Sequence, residues 1–228
     1  MKYAVAGFLI AILLSPVPSV ASPGQYSAGP TWGQVVDADT GEPIAGVLVI
    51  ALWDLEGGVE RSRVGTFKVL EATTDGQGRF RMPGWGPLPA SSRGQLDAYD
   101  PSLTLFKSGY TPEWIENGPF GERGKRLQLE VHDWASNGGI LKLQKYSKAP
   151  GDYSRRVNLI VMHLFDVLYG SGCRWKEIPR TVRALEDEEK AERAQGLHPR
   201  FSLSAESLIH SRDCGPIDEF MKAYAGTN

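Results

Sequence analysis

Few residues in this chain have the types and spacing that chemistry needs. The histidines His132, His163, His198 and His210 stand apart. None has the His-x-His or His-Glu-x-x-His spacing that puts two imidazoles on one face to hold a metal. No metal site and no cofactor are expected. "DADTGE", Asp37 to Glu42, and "DGQGR", Asp75 to Arg79, crowd oxygens together, but without the register or the bidentate acid of a calcium loop, so they read as turns. Nucleophilic hydrolysis would need a serine or cysteine beside a base. There is no Gly-x-Ser-x-Gly, nothing fixes a histidine next to a serine, and no catalytic residue is assigned. Trp85 in "PGWGPLP" and Trp114 in "YTPEWIENGPF" remain. Aromatics in Gly/Pro-rich loops either contact peptides or sugars, at little entropic cost, or cover the edge of a core.

The elements that must position these residues change character along the chain. From Thr31 to Tyr146, short apolar or alternating runs are separated by Gly, Pro, Asp and Asn, the spacing of an all-β domain. It predicts strands at 33–37, 46–53, 66–73, 78–82, 95–99, 103–107, 125–131 and 140–145. "GVLVIALW" is apolar on both faces, which suits a central strand covered in part by the C-terminal segment. After "YSKAPGD" the period becomes helical. Val157, Ile160, Val161, Leu164, Phe165 and Leu168 form one stripe, with Asp152 or Ser154 as cap. A second helix begins at Pro179; its thin stripe of Val182 and Leu185 predicts a largely exposed element. A short third helix carries Ile217, Phe220, Met221 and Tyr224.

The first residues, "MKYAVAGFLIAILLSPVPSVAS", place one Lys before an apolar run and small residues at Ser19-Val20-Ala21, the pattern of a secretory leader cleaved after Ala21. A membrane span needs about 20 apolar residues, and no stretch of the mature chain reaches that length. The expected location is the periplasm or the medium. There disulfides persist, so the two cysteines, Cys173 and Cys214, each at a helix boundary, are expected to pair. With 25 basic and 27 acidic residues the formal charge is −2, and no Lys/Arg cluster marks a nucleic-acid partner.

"GQVVDADTGEPIAGVLVIALW" followed by "ATTDGQGRFRMPGW" resembles the carboxypeptidase regulatory-like domain, a transthyretin-like (prealbumin) β-sandwich. The resemblance rests on Asp37, Gly41, Pro43, Gly46, Val47, Thr74, Asp75, Gly78 and Phe80. "KSGYTPEW" is similar to the family's later Gly-Tyr turn, through Gly109 and Tyr110. The C-terminal helical part, with "GSGCRW" and "SRDCGP", resembles the tails of uncharacterised exported bacterial proteins and implies no activity. The ureide hydrolase among such sandwiches carries a Tyr-Arg-Gly-Ser motif; this chain reads "YAGTN" there, so that activity is not carried over. Together with the resemblance, these readings give a mainly β protein: leader 1–21, linker 22–30, transthyretin-like sandwich 31–148, and a small α-helical C-terminal region 149–228 holding the disulfide. The expected function, drawn from the absence of a catalytic motif, the export signal and the loop aromatics, is a non-catalytic module for protein binding or scaffolding in the cell envelope, with an envelope protein or glycan as partner and Trp85, Tyr110 and Trp114 as candidate binding residues. A hydrolase acting on an envelope substrate and a carbohydrate-binding module are the alternatives.

Overall fold

The computed structural model describes residues 24–97, 99–117, 134, 137–170, 172–201, 214, 217–222 and 224. The leader, the expected strand at 125–131, His132 and His210 lie outside the described residues.

The chain is mainly β, a sandwich followed by a small helical region. The strands are β1 (Gln25–Ala28), β2 (Thr31–Asp37), β3 (Leu48–Gly57), β4 (Ser62–Thr73), β5 (Arg79–Met82), β6 (Trp85–Pro89), β7 (Gln95–Leu96), β8 (Ser102–Phe106), β9 (Glu113–Ile115) and β10 (Ile140–Leu143). One sheet runs β10-β2-β5 and the other β4-β3-β8-β9, with β7 also on β3; β1 and β6 form a separate pair. The helices are α1 (Pro150–His163), α2 (Phe165–Leu168), α3 (Pro179–Ala194) and α4 (Ile217–Lys222), with a 3-10 turn at Arg174–Glu177.

β3 has eight consecutive buried residues because side chains alternate faces and both faces are covered. Val49, Ala51, Trp53 and Leu55 meet Val35, Phe80, Met82 and Leu143 of the opposing sheet. Leu48, Ile50 and Leu52, with Val69 and Phe106, meet Val157, Leu164, Leu168, Trp175, Val182 and Leu185 of the helical region. The molecule is therefore three layers: sheet, sheet, helices. At about 1.5–3 kcal/mol for each large apolar side chain removed from water, this second core holds the helices on the sheet.

The turns that resemble the family motif act through their polar side chains. Asp37 Oδ1 accepts from the Asp39 and Thr40 amides at 2.9 and 3.1 Å, which holds its carboxyl below the usual range. Asp75 Oδ1 accepts from Gln77 N and Arg79 N at 2.9 and 2.8 Å. Thr74 Oγ1 accepts from Val47 N and donates to the Ile44 carbonyl, tying the start of β3 to the end of β4. Gly78 sits at φ +69, where a Cβ would lie 2.4 Å from the Val35 carbonyl oxygen; no side chain fits there.

Several elements depart from the expectation. β1 falls in the segment read as linker and pairs antiparallel with β6. The Gly and Pro of "WGPLP" hide β6 from periodicity, yet proline is tolerated in a strand lacking a second ladder. α1 starts on Ala149 and Pro150 without a side-chain cap, so neither Asp152 nor Ser154 fills that role. The stripe breaks at Leu164, between α1 and α2, leaving Phe165 48% exposed while Val167 is buried.

The exposed second helix is also corrected. α3 buries Val182 and Leu185 together with Glu188, Glu189 and Glu192. Tyr153 donates to Glu188 Oε1 at 3.2 Å and Ser154 to Glu192 Oε2 at 2.8 Å, while Arg193 pairs with Glu189 at 2.8 Å. Carboxylates with donors can be buried, and a count of apolar positions misses them.

The two cysteines form one disulfide, Cys173 to Cys214. Lys176 Nζ also donates to the Cys214 carbonyl. Phe220 of α4 packs edge-on to Trp175 with ring centres 5.3 Å apart. The bond thus joins the 3-10 turn to the residues that lead into α4, where Met221 is buried.

Candidate functional site

The helical layer is fastened to the sheet by side chains of β4. Arg63 Nε lies 3.2 Å from Asp54 Oδ2 and 3.3 Å from Asp166 Oδ2 of α2, and its Nη1 donates to the His163 carbonyl at 2.8 Å. Thr66 donates to Asp54 Oδ1 at 2.7 Å, and its carbonyl accepts from Arg174. Asp100 Oδ2 accepts from Asp54 N at 2.5 Å. Burial pushes the Asp54 carboxyl up to about 6 against the pull of Arg63 and Thr66. Burial, then the neighbouring Asp54, pushes Asp100 well above the carboxylate range.

Beside this clip, Ser102 Oγ and His163 Nε2 are 3.3 Å apart. This is the one place where serine and histidine meet among the described residues, and spacing could not find it because Ser102 is on β8 and His163 ends α1. Burial, with the Arg63 charge second, lowers the His163 imidazole to about 4, so the ring is neutral at pH 7. Trp114 lies on it with ring centres 4.5 Å apart. Ser102 is itself buried beneath. A nucleophile must reach its substrate; Ser102 is buried and the His163 ring is covered by Trp114, so the two meet as a packed polar contact.

The expected aromatics are divided. Trp114 stands opposite Thr104 on β9 and faces the helices; it is 52% exposed. Trp85 packs on the other face of the central sheet, edge-on to Trp53 at 5.3 Å and beside Phe67 at 5.7 Å. It covers the edge of the inter-sheet core, so the two tryptophans share no surface. Tyr110 bridges to Lys145 and, with Asp37, Glu42 and Lys107, lines a separate hollow of about 370 Å³ at the Asp37–Pro43 turn.

An open groove of about 590 Å³ includes Glu113, the residue before Trp114, in its lining. One wall is α1, through Asp152, Arg155, Arg156 and Leu159; the others are Thr111, Glu113 and the segment 144–148. Backbone bonds from Thr111 N to Gln144 O and from Tyr146 N to Gly109 O, at 2.8 and 2.9 Å, fix the floor. Leu159 is 60% exposed and lies one turn before His163, so the groove leads to the Trp114 face. Sequence reasoning missed this groove because its cations come from two separate segments.

No protein-family model matches the chain and no curated protein is similar to it. Among solved structures, 3-chlorocatechol 1,2-dioxygenase from Rhodococcus opacus 1CP is similar at 15% identity over 53% of this chain and 60% of its own, TM-score 0.32. A streptococcal ancillary pilin is similar at 18% identity over 53% of this chain and 30% of its own, TM-score 0.27. The major pilin SpaD from Corynebacterium diphtheriae is similar at 13% identity over 51% of this chain and 30% of its own, TM-score 0.28. The chain spans less than two thirds of each of these proteins, and none of their activities transfers to it. Among the described residues no helix is long and apolar enough to cross a membrane.

Proposed function

We propose that this chain is an exported, non-catalytic binding or scaffolding module of the cell envelope, in which a carboxypeptidase regulatory-like sandwich (31–148) carries a helical region (149–228) that completes its binding face. The observation that carries the reading is the half-exposed Trp114, held on His163 at 4.5 Å beside a groove with fixed walls. A flat ring already ordered by its own neighbours loses little freedom on meeting a partner. Export is supported by the Lys2-led apolar leader and by the disulfide, a bond that persists outside the cytoplasm.

The test uses the mature chain as bait in an envelope extract, with Trp114→Ala and Leu159→Asp beside it. Both side chains are more than half exposed, so both variants should melt near the unaltered protein while losing the captured partner. Capture that survives both substitutions would remove this face from the function.

A further inference from the structure

The ligand class of that face follows from its charge, an inference that rests on the binding-module reading above. The 590 Å³ groove is lined by four cations, Lys145, Lys148, Arg155 and Arg156, against two acids, Glu113 and Asp152. A second groove of about 360 Å³ shares Asp152 and Arg155 and adds Leu197, His198 and Arg200. Together they make one basic track past the first turns of α1, on a chain whose formal charge is −2. Lys145 also faces Asp37 across the neighbouring hollow, and the other three cations are at most weakly engaged within the chain. Arg155 meets Asp152 at 3.6 Å with both side chains more than half exposed, a geometry of little energetic weight. Among the described residues Lys148 and Arg156 form no ion pair.

We propose that this track binds an acidic peptide segment carrying an aliphatic side chain. Charge complementarity selects carboxylates. The aliphatic requirement comes from Leu159 and Met162, 60% and 56% exposed, three residues apart on α1 and therefore neighbours on its surface. Inside the groove an acidic glycan has less to stack on, because the ring lining it is already engaged. Tyr146 in the groove packs on Tyr153 with ring centres 5.0 Å apart and donates its hydroxyl to the Ala149 carbonyl. The inner face of Trp114 is taken by His163.

The experiment is fluorescence polarisation of the mature protein with a fluorescein-labelled Glu/Leu/Gly peptide, against Gln/Leu/Gly and Lys/Leu/Gly peptides and a polygalacturonate competitor. The acidic peptide alone should bind, and its affinity should fall steeply as salt rises from about 0.05 to 0.5 M. Lys148→Glu with Arg156→Glu should weaken it at least about tenfold. Lys107→Gln, outside the track, should leave it unchanged. Equal binding of the acidic and basic peptides, or indifference to the double reversal, overturns the proposal. Binding of polygalacturonate in place of the peptide does so too. If the peptide fails while extract capture still depends on Trp114, the ligand class is wrong and the binding face stands. If both fail, the binding-module reading falls with it.

Discussion

Arg63 gathers Asp54, Asp166 and the His163 carbonyl at 3.3 Å or less, and the titrating groups around it answer pH in opposite senses. Asp54, raised by burial to about 6, keeps a proton in the folded protein that the unfolded chain has lost, so its contribution to stability falls as pH rises through that range. His163, lowered by burial to about 4 from 6.5, refuses a proton that the unfolded chain accepts, so its contribution falls as pH drops. His163→Gln removes only the second effect. Its destabilisation relative to the unaltered protein should therefore be greater near pH 7 than near pH 4.5 in thermal melts; a constant difference would mean that the ring titrates normally. The tryptophans supply a second residue-scale prediction. Trp85→Ala should cost roughly 2–4 kcal/mol in urea unfolding, because it opens the packing on Trp53 and Phe67. Trp114→Ala should cost under about 1 kcal/mol, since half its ring already meets water.

At the scale of elements, α3 begins without a side-chain cap of its own, and a strand supplies one. The Glu71 carboxylate of β4 accepts from Arg180 N at 3.2 Å and from Thr181 N and Oγ1 at 2.7 and 2.6 Å. Burial nonetheless leaves its carboxyl above the usual range. Glu71→Ala should cost about 1–2 kcal/mol and speed amide exchange at Arg180 and Thr181 before other α3 amides; uniform exchange across the helix would show that the contact is incidental. No local pattern announces such a cap, because donor and acceptor lie 110 positions apart. What the sequence did make legible was local: the doubly apolar β3, the Asp37 and Asp75 turns, and the apolar stripe of α1. Illegible were elements defined by a distant neighbour: β1 on β6, the buried acids of α3, the Ser102–His163 contact and the basic track. Trp114 was legible as a residue worth watching. That its support is a histidine 49 positions later was not.

For the whole molecule, one covalent bond, one packed face and one strand pairing set the behaviour. Both cysteines lie in the helical region, so reduction should loosen residues after Gly170 first and leave sandwich amides protected, as exchange mass spectrometry would show; the bond's loop of about 40 residues is worth roughly 2–4 kcal/mol. The outer face of the central sheet, with Leu48, Ile50, Leu52, Val69 and Phe106, is covered by helices. Residues 24–148 alone should therefore associate or aggregate, and a monodisperse monomer of that fragment in light scattering would refute the three-layer account. The parallel pairing of β2 with β10, from Gln34 beside Ile140 to Asp37 beside Leu143, bears on the order of assembly. β3 and β4 can zip as a hairpin once both exist, but until β10 arrives β2 has only β5 beside it and offers an open ladder. Contacts this distant in sequence form slowly, and a row of unpaired amides and carbonyls invites another chain's strand. A nascent or stalled chain that stops short of Ile140 would be the species most prone to edge-to-edge association, and holding it extended until its last strand is available would suppress that side reaction.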